Sequence, residues 1–549
     1  MVSKIIFHII LFCTITSFSF GQQTIGLFTN TPEAMNGYTL FAPIADKTTY
    51  LIDNCGQIVH SWESEYTSGL SVYLLENGLL YRSGRVLGAQ EGVLEIIDWD
   101  GNVLWSYSTT PTHGRQHHDI EILPNGNIMF IVWDNRTLAE LQENAGNTSL
   151  SVIYSEQIIE VEPDLVGGGA TVVWEWKAWD HIIQDDDSSK NNYGVVSAHP
   201  ERIDINYKAH NTPDWLHING LDYNEELDQI ILSVHALSEL WIIDHSTSTQ
   251  EAAGSSGGNS GKGGDLLYRW GNPQVYQQGT AQDQKLFKQH HTHWIKEGYN
   301  DGGKIMLFNN QAGTLDGLNY SSVDIIIPPI DNAGNYLYQG GSYTPQDFDW
   351  RYQSSPKTAF YSQVVSGAER LPNGNTLVCE GVGGRFFEID DRDSIVWEYI
   401  NPVGNNGPML QGETITGAFN NVFRCIKYST DYPAFAGKDL SPKGNIEIGS
   451  THTCEIFEEL SPTGFATLDK TKLSVYPNPS HDFIYLELDD LLGAQEVSDV
   501  RLVNSIGKVC YRQEDYTEII DVSKLKSGLY FLNVNIGGVF YNTPVVIGY

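Results

Sequence analysis

The stretch "ILPNGNIMFIVW", residues 122–133, decides the fold. Asn125-Gly126 is the pair favoured in a tight hairpin turn, where the backbone must take positive φ at little steric cost. Apolar strand residues flank it on both sides. The same phrase stands as "LLENGLLYRSG" at 74–84 and "RLPNGNTLVCEG" at 370–381, with looser versions at "LDYNEELDQIILSVH" (221–235) and "WIKEGYNDGGKIMLFNN" (294–310). A second phrase alternates with it: "LIDNCGQIVHSW" (51–62), "IIDWDGNVLWSY" (96–107) and "EIDDRDSIVWEY" (388–399). Each reads as apolar strand, Asp-containing turn, apolar strand, then Trp. The period is roughly 45 residues, the length of a β-propeller blade. Residues 22–465 are therefore expected to form an all-β propeller of about six blades. The alternative is a pair of β-sandwiches with coincidental turns. Insertions are read at "QDDDSSKNN" (184–192) and at the Ser/Gly-rich 251–264, the latter expected as a mobile loop.

Composition narrows the function. With 53 Gly, 11% aromatics and few amphipathic helical patterns, the 549 residues suit short strands joined by turns. A net charge of −36 repels phosphate backbones and anionic membrane surfaces, so nucleic-acid binding is excluded. "MVSKIIFHIILFCTITSFSFGQQ" opens the chain with Lys4, a short apolar run, and Ser19 and Gly21 at the −3 and −1 positions of a cleavage site. Residues 1–21 are thus expected to be an export signal. No later run approaches the 18 or so apolar residues of a spanning helix. The cysteines left after the signal, Cys55, Cys379, Cys425, Cys454 and Cys510, include no C-x-x-C pair and leave one distant disulfide open, unassigned.

Beyond about residue 472 the composition changes. "LSVYPNPSHDFIYLELDD", "VRLVNSIGKVCYRQ" and "IIDVSKLKSGLYFLNVN" read as a compact run of strands, a small β-sandwich over 472–549. Its Pro-Asn-Pro entry and Ser-Gly-Leu-Tyr hairpin resemble the C-terminal sorting domain of the type IX secretion system. The resemblance implies the secretion machinery as a partner and a secreted or cell-surface destination. One departure is the ending, "TPVVIGY", where such domains often carry a basic strand.

Histidines cluster where the hairpin phrases begin. "RQHHDIEILPNGN" puts His117 and His118 just before a strand, "DWLHINGLDYN" puts His217 and Asn219 there, and His235 ends the next strand. "KQHHTHWI" places His290, His291 and His293 within four positions, followed by Trp294. In a propeller, equivalent positions of successive blades converge on one mouth of the channel. A shared zinc or copper site is one alternative, but neither an H-x-x-x-H helix nor a Cys or carboxylate at ligand spacing accompanies these residues. No G-x-S-x-G elbow and no P-loop is present, no carboxylate pair stands out, and the sequence calls for neither metal nor cofactor.

With these segments in this order, residues 45–455 resemble the bacterial arylsulfate sulfotransferases, exported enzymes that use no nucleotide sulfate donor. "SGAERLPNGNTLVCEGVGGRFFEID" and "NVFRCIKYSTDYPAFAGKDL" carry the resemblance at the end of the propeller. It implies transfer of a sulfuryl group from a phenolic sulfate to a phenol through a sulfated histidine. His290 corresponds to the nucleophile, flanked by Gln289 and Trp294. His217 and Asn219 correspond to the family's H-x-N, and His118 to its early histidine, with His117 adjacent. The implied catalytic set is His290, His217, Asn219, His118 and His235, with Asn219 donating to the sulfuryl oxygens. His117, His293 and Trp294 are implied at the substrate. His235 stands where the family has an arginine, and Arg269, Arg385 and Arg424 are the candidates to replace that charge. The competing reading is a secreted propeller that binds glycan or protein without catalysis.

Overall fold

A computed structural model describes residues 23–85, 92–109, 114–145, 150–207, 212–331, 334–413, 415, 419–450, 453–457, 473–488, 497–504, 509–515, 519–526, 528–536 and 539–548. The expected signal, residues 1–21, lies outside them. The chain divides into one unit ending at Glu455 and a second from Ile456 to Tyr549.

Among the described residues the first unit contains six antiparallel blade sheets, five of four strands and one, blade 6, of five. Blade 2 comprises Thr67–Leu74, Leu80–Arg85, Gly92–Ile97 and Val103–Ser108. Blade 3 comprises Gln116–Ile122, Ile128–Thr137, Val152–Pro163 and Ala170–Lys177. Blade 4 runs Ile218–Asn224, Gln229–Val234, Glu239–Asp244 and Tyr268–Trp270, and blade 5 runs His290–Trp294, Ile305–Asn309, Ser322–Ile326 and Trp350–Tyr352. Blade 6 runs Gly367–Arg370, Thr376–Glu380, Arg385–Ile389 and Ile395–Ile400. Blade 1 is assembled from both ends of the unit: Val422–Ser429 pairs with Gly37–Pro43, followed by Thr48–Ile52 and Ile58–Glu63. Gly26–Asn30 in turn adds a fifth strand to the outer edge of blade 6. First strands touch the first strands of neighbouring blades, so they form the innermost ring.

The repeated phrases fold alike. Gly78, Gly126 and Gly374 all take positive φ in their turns, and the preceding Asn accepts the N–H two residues on at 2.9–3.0 Å. In the second phrase Asp53, Asp98 and Asp390 accept backbone N–H groups of their own turns at 2.8–2.9 Å.

The Trp that ends a phrase bolts one blade to the next. Trp62 of blade 1 donates its indole N–H to the Asp98 carbonyl of blade 2 at 3.0 Å, and Trp105 of blade 2 donates to Gly169 of blade 3 at 2.7 Å. Trp174 reaches Thr247 of blade 4 at 3.2 Å, and Trp270 reaches Pro345 of blade 5 at 2.7 Å. Trp397 of blade 6 closes the circle on Asn54 of blade 1 at 2.9 Å. Every acceptor lies between the third and fourth strands of its blade. Blade 5 alone differs: the Arg370 guanidinium of blade 6 lies over the Trp350 ring, 4.4 Å from its centre. Cys55 and Cys454 form a disulfide across 399 residues of chain, and closing so long a loop removes roughly 6 kcal/mol of unfolded-chain entropy on the polymer estimate.

The Ser/Gly-rich segment is not the loose loop its composition suggests. Asp244 accepts the Ser260 N–H at 2.8 Å, Ser246 accepts that of Asn259 at 2.7 Å, and the Trp176 indole donates to Gly264 at 2.8 Å. Ala252 is buried in the core, and the rest of the segment folds around partners supplied by blades 3 and 4.

In the second unit, Leu473–Tyr476, Phe483–Leu488 and Ile519–Asp521 form one sheet, and Val509–Asp515, Val497–Asn504, Gly528–Ile536 and Val539–Ile547 another. Both sheets contribute to a single apolar cluster that includes Ile484, Ile520, Leu502 and Leu532, as a sandwich requires. Asn478 of the Pro-Asn-Pro entry accepts the Val546 N–H at 2.8 Å, tying the entry to the last strand. Among the described residues no helix is long and apolar enough to cross a membrane.

The bolts make a prediction. Trp397→Phe keeps most of the buried ring but orphans the Asn54 carbonyl, a loss of about 1–2 kcal/mol. Trp397→Ala should cost about 3–5 kcal/mol. Urea unfolding of the full chain measures both, and an undiminished stability in Trp397→Phe would show that the indole N–H contributes nothing.

Candidate active site

Innermost strands carry a β-bulge near one end. Pairing registers shift at Ser68/Val72 in blade 2, at Ile218/Gly220 in blade 4 and at His290/His293 in blade 5, with a matching shift in blade 3. The residues there take left-handed backbone: Leu70 (φ 113°), His118 (57°), His217 (50°) and His291 (50°). Bulges re-aim side chains, and non-glycine residues hold such φ values only when their surroundings compel them. Here they turn imidazoles of three blades toward one another.

The rings form a file. His117 and His118 lie 5.1 Å apart between centroids, His118 and His217 4.7 Å, His217 and His235 4.9 Å, and His235 and His290 5.3 Å. Phe423, on the closing strand of blade 1, flanks His118 at 5.9 Å and His290 at 6.5 Å. His291 and His293 stack on each other at 4.2 Å, apart from this file.

His290 has a fixed tautomer. Asn310 spends its amide N–H groups on the carbonyls of Ser362 (2.8 Å) and Val365 (2.9 Å), so its Oδ1 can only accept. His290 Nδ1 lies 2.8 Å from that oxygen and therefore carries the hydrogen. Nε2 keeps its lone pair, which the Val365 N–H meets at 3.2 Å. Burial drives His290 and His117 down to about 3 and holds His118 and His235 well below the ordinary histidine value, so these rings are neutral at physiological pH. His217 is the exception. Burial pulls it down, but the Asp214 carboxylate, 2.6 Å from Nδ1, outweighs this and raises it.

A cavity of about 340 Å³ opens beside the file, lined by His117, His118, His217, Trp133, Arg85 and Arg115 among others. Two basic groups thus border it. Of the arginines considered as substitutes at position 235, Arg269 is buried against Glu239, and Arg385 pairs with Glu380 and Glu398. Arg424 is the one electrostatically felt by His290, yet its guanidinium is held by Asp119 at 2.6 Å.

Three expected site residues are placed elsewhere. Asn219 is buried, and its amide N–H bonds the Gln289 carbonyl at 2.9 Å, so it braces the backbone before His290. The bulge turns it inward. His293 and Trp294 line a separate cavity of about 520 Å³ with Tyr299, Glu369 and Tyr428, because they lie further along the strand, beyond the bulge. Conversely Asp214, Asn310 and Arg115 stand inside the very stretches that drew attention to the histidines, yet nothing in their spacing marked them. Glu156 has no sequence signal at all.

Fold and site together define a six-bladed propeller with a histidine file at one mouth. The sequence profile of the arylsulfotransferase (ASST) family matches residues 29–406, all blades except the closing strand, and the chain belongs to that family. The profile of the secretion system C-terminal sorting domain matches residues 474–547. Family membership supports sulfotransferase activity, and the sorting domain supports secretion or display at the cell surface. No curated protein matches the chain. Similar solved structures include a protein of unknown function from Bacteroides caccae (12% identity, 72% of this chain and 99% of that one, TM-score 0.38). Others are the periplasmic gluconolactonase PpgL of Pseudomonas aeruginosa (10%, 66% and 94%, 0.35) and the β-propeller domain of Myceliophteria thermophila Cps50 (Swd1) (9%, 69% and 90%, 0.35).

The Asp214–His217 pair sets a pH response. His217, raised above the ordinary 6.5 or so, contributes stability in full below that value and loses it as pH rises through its folded-state pKa. Asp214→Asn should bring the His217 titration, followed by NMR, to 6.5 or lower. An unchanged titration would remove Asp214 as the cause.

Proposed function

We propose that the chain is an arylsulfate sulfotransferase that moves a sulfuryl group from a phenolic sulfate ester to a phenol through sulfo-His290. The observation that carries this reading is the tautomer of His290: Asn310 holds Nδ1–H and leaves the lone pair on Nε2, where the Val365 N–H meets it. A neutral imidazole is nucleophilic without a separate activating base.

In the first half-reaction Nε2 attacks sulfur, the bond from sulfur to the aryl oxygen breaks, and phenolate leaves. In the second, an acceptor phenol oxygen attacks the same sulfur and the N–S bond breaks. As in phosphoryl transfer, charge spreads over three equatorial oxygens in a loose transition state. Donors positioned for those oxygens are the His217 imidazolium, charged because Asp214 holds it, and the Val365 N–H, which passes from the His290 lone pair to a sulfuryl oxygen once that lone pair is used. His217 supplies the positive charge that an arginine at position 235 would give, and neutral His235 fills the space between His217 and His290. Arg85 and Arg115 at the cavity wall favour an anionic donor, and Trp133 offers a ring for the phenol. Asn219 holds the backbone of Gln289 and thereby aims His290.

Mature protein should release a burst of nitrophenol from 4-nitrophenyl sulfate and turn over only when phenol is added. Release without an acceptor would make it a sulfatase, and no release from any aryl sulfate would favour a binding protein. His290→Ala should abolish burst and turnover together, whereas His291→Ala and His293→Ala keep measurable rates. The trapped label should sit on His290 and be acid-labile; an acid-stable label on Ser, Thr or Tyr would sink the histidine route. Asp214→Asn should cost about 10- to 100-fold in kcat/KM at neutral pH, the loss of one hydrogen bond from a charged donor worth about 1.5–3 kcal/mol.

A further inference from the structure

Behind His118 lies a carboxyl group that the reaction as drawn leaves idle. Glu156, on the third strand of blade 3, is fully buried, and its Oε2 stands 2.9 Å from His117 Nε2. His117 Nδ1 in turn stands 2.9 Å from His118 Nδ1. An unbroken line of hydrogen-bonding atoms therefore runs from the core to the ring beside the cavity. The other carboxyl oxygen, Oε1, accepts the Ile218 N–H of blade 4 at 3.2 Å. The charges acting on Glu156 and His117 are those of Asp214, His217, Asp134 and Arg115.

Two nitrogens 2.9 Å apart share one hydrogen, and that restricts the line to two neutral-ring arrangements. In the first, Glu156 is a carboxylate accepting from His117 Nε2–H, His117 Nδ1 accepts from His118 Nδ1–H, and His118 Nε2 bears a lone pair. In the second, the Glu156 carboxyl O–H donates to His117 Nε2, His117 Nδ1–H donates to His118 Nδ1, and His118 Nε2 carries hydrogen. The arrangements differ by one proton, entering at His118 Nε2 and stored on Glu156. Neither places a charge on an imidazole. Burial, which raises the Glu156 carboxyl well above the usual range, brings the two within reach of each other.

We infer that Glu156 is the proton store of the transfer reaction, acting through His117 to set which nitrogen of His118 carries hydrogen. The inference rests on the function proposed above. During the first half-reaction His118 Nε2–H goes to the departing phenolate oxygen, the His117 Nδ1 hydrogen moves to His118 Nδ1, and the Glu156 hydrogen moves to His117 Nε2. Charge balances. The aryl sulfate brings one negative charge, sulfo-His290 with its Nδ1–H is neutral overall, phenol leaves neutral, and the carboxylate keeps the charge. The second half-reaction runs the same shifts backwards, as the acceptor phenol gives its proton to His118 Nε2 while its oxygen attacks sulfur. Glu156 is thus a positioning residue, and His118 is the group that touches substrate.

Glu156→Gln tests this. The Ile218 N–H keeps the amide oxygen at the Oε1 place, so the amide nitrogen faces His117 Nε2 and locks His118 with hydrogen on Nε2. The nitrophenol burst should stay within about threefold of wild type, because nitrophenolate leaves without a proton. Turnover to phenol should fall about 100-fold, a typical loss of general-base help, while turnover to an acceptor already ionised at the assay pH should fall less than about threefold. Equal losses for both acceptors, or none for either, would overturn the inference. In the wild-type protein, histidine-selective nitrogen NMR should show the His118 hydrogen switching from Nδ1 to Nε2 over the pH range in which the Glu156 carboxyl protonates. Independent transitions would also overturn it, whatever the variant does. If wild-type protein gives no burst at all, the proposed function falls while the NMR still decides the line.

Discussion

The indole that crosses from one blade to the next is the constraint on which the rest of the propeller depends. A blade is a small sheet with two faces to cover, and no blade can cover its own. A Trp on the outer strand packs one face onto its neighbour, and its N–H must find a buried acceptor or lose the desolvation it has undergone. At five of the six junctions the acceptor is the loop between the third and fourth strands of the next blade, as with Trp62 on Asp98 and Trp397 on Asn54. Repeated round the ring, this sets the angle between blades. The angle in turn decides that the inner strands converge, and convergence brings imidazoles of blades 3, 4 and 5 together.

The site is built against local preference. Two of its histidines, His118 and His217, hold left-handed backbone, at φ values of 57° and 50°. Four neutral rings are kept in surroundings that strip their protons, while one, His217, is held toward its charged form by Asp214. Burial suppresses ionisation where a lone pair is wanted, and the Asp214 carboxylate overrides it where a cation is wanted. A uniform cluster of exposed histidines would give neither.

Much of this was legible in the sequence, though unevenly. Asn-Gly turns and Asp-turn-Trp phrases announce blades 1, 2, 3 and 6, because the turn and the bolt are local chemistry. Blades 4 and 5 end in short strands, Tyr268–Trp270 and Trp350–Tyr352, reached only after long insertions, so the periodicity lapses there. The histidines were visible as strand-opening residues. The contact of Asn219 with the Gln289 carbonyl was not legible, because a motif gives spacing without direction. Asp214 and Asn310 lay in the quoted stretches unnoticed. Their significance is a contact, His217 for one and His290 for the other, and composition carries no contacts. Glu156 sits in an ordinary alternating strand and becomes meaningful only beside His117 of the neighbouring strand pair.

Blade 1 takes its innermost strand, Val422–Ser429, from the far end of the unit, and the disulfide joins Cys55 to Cys454. A nascent chain that has emerged only as far as blade 6 holds every histidine of the file, yet lacks the wall behind it: Phe423 and Arg424 have still to arrive. Until then the ring of innermost strands lacks one member. The last residues of the propeller complete both the circle and the dry pocket, and they do so just before the sorting domain that follows them.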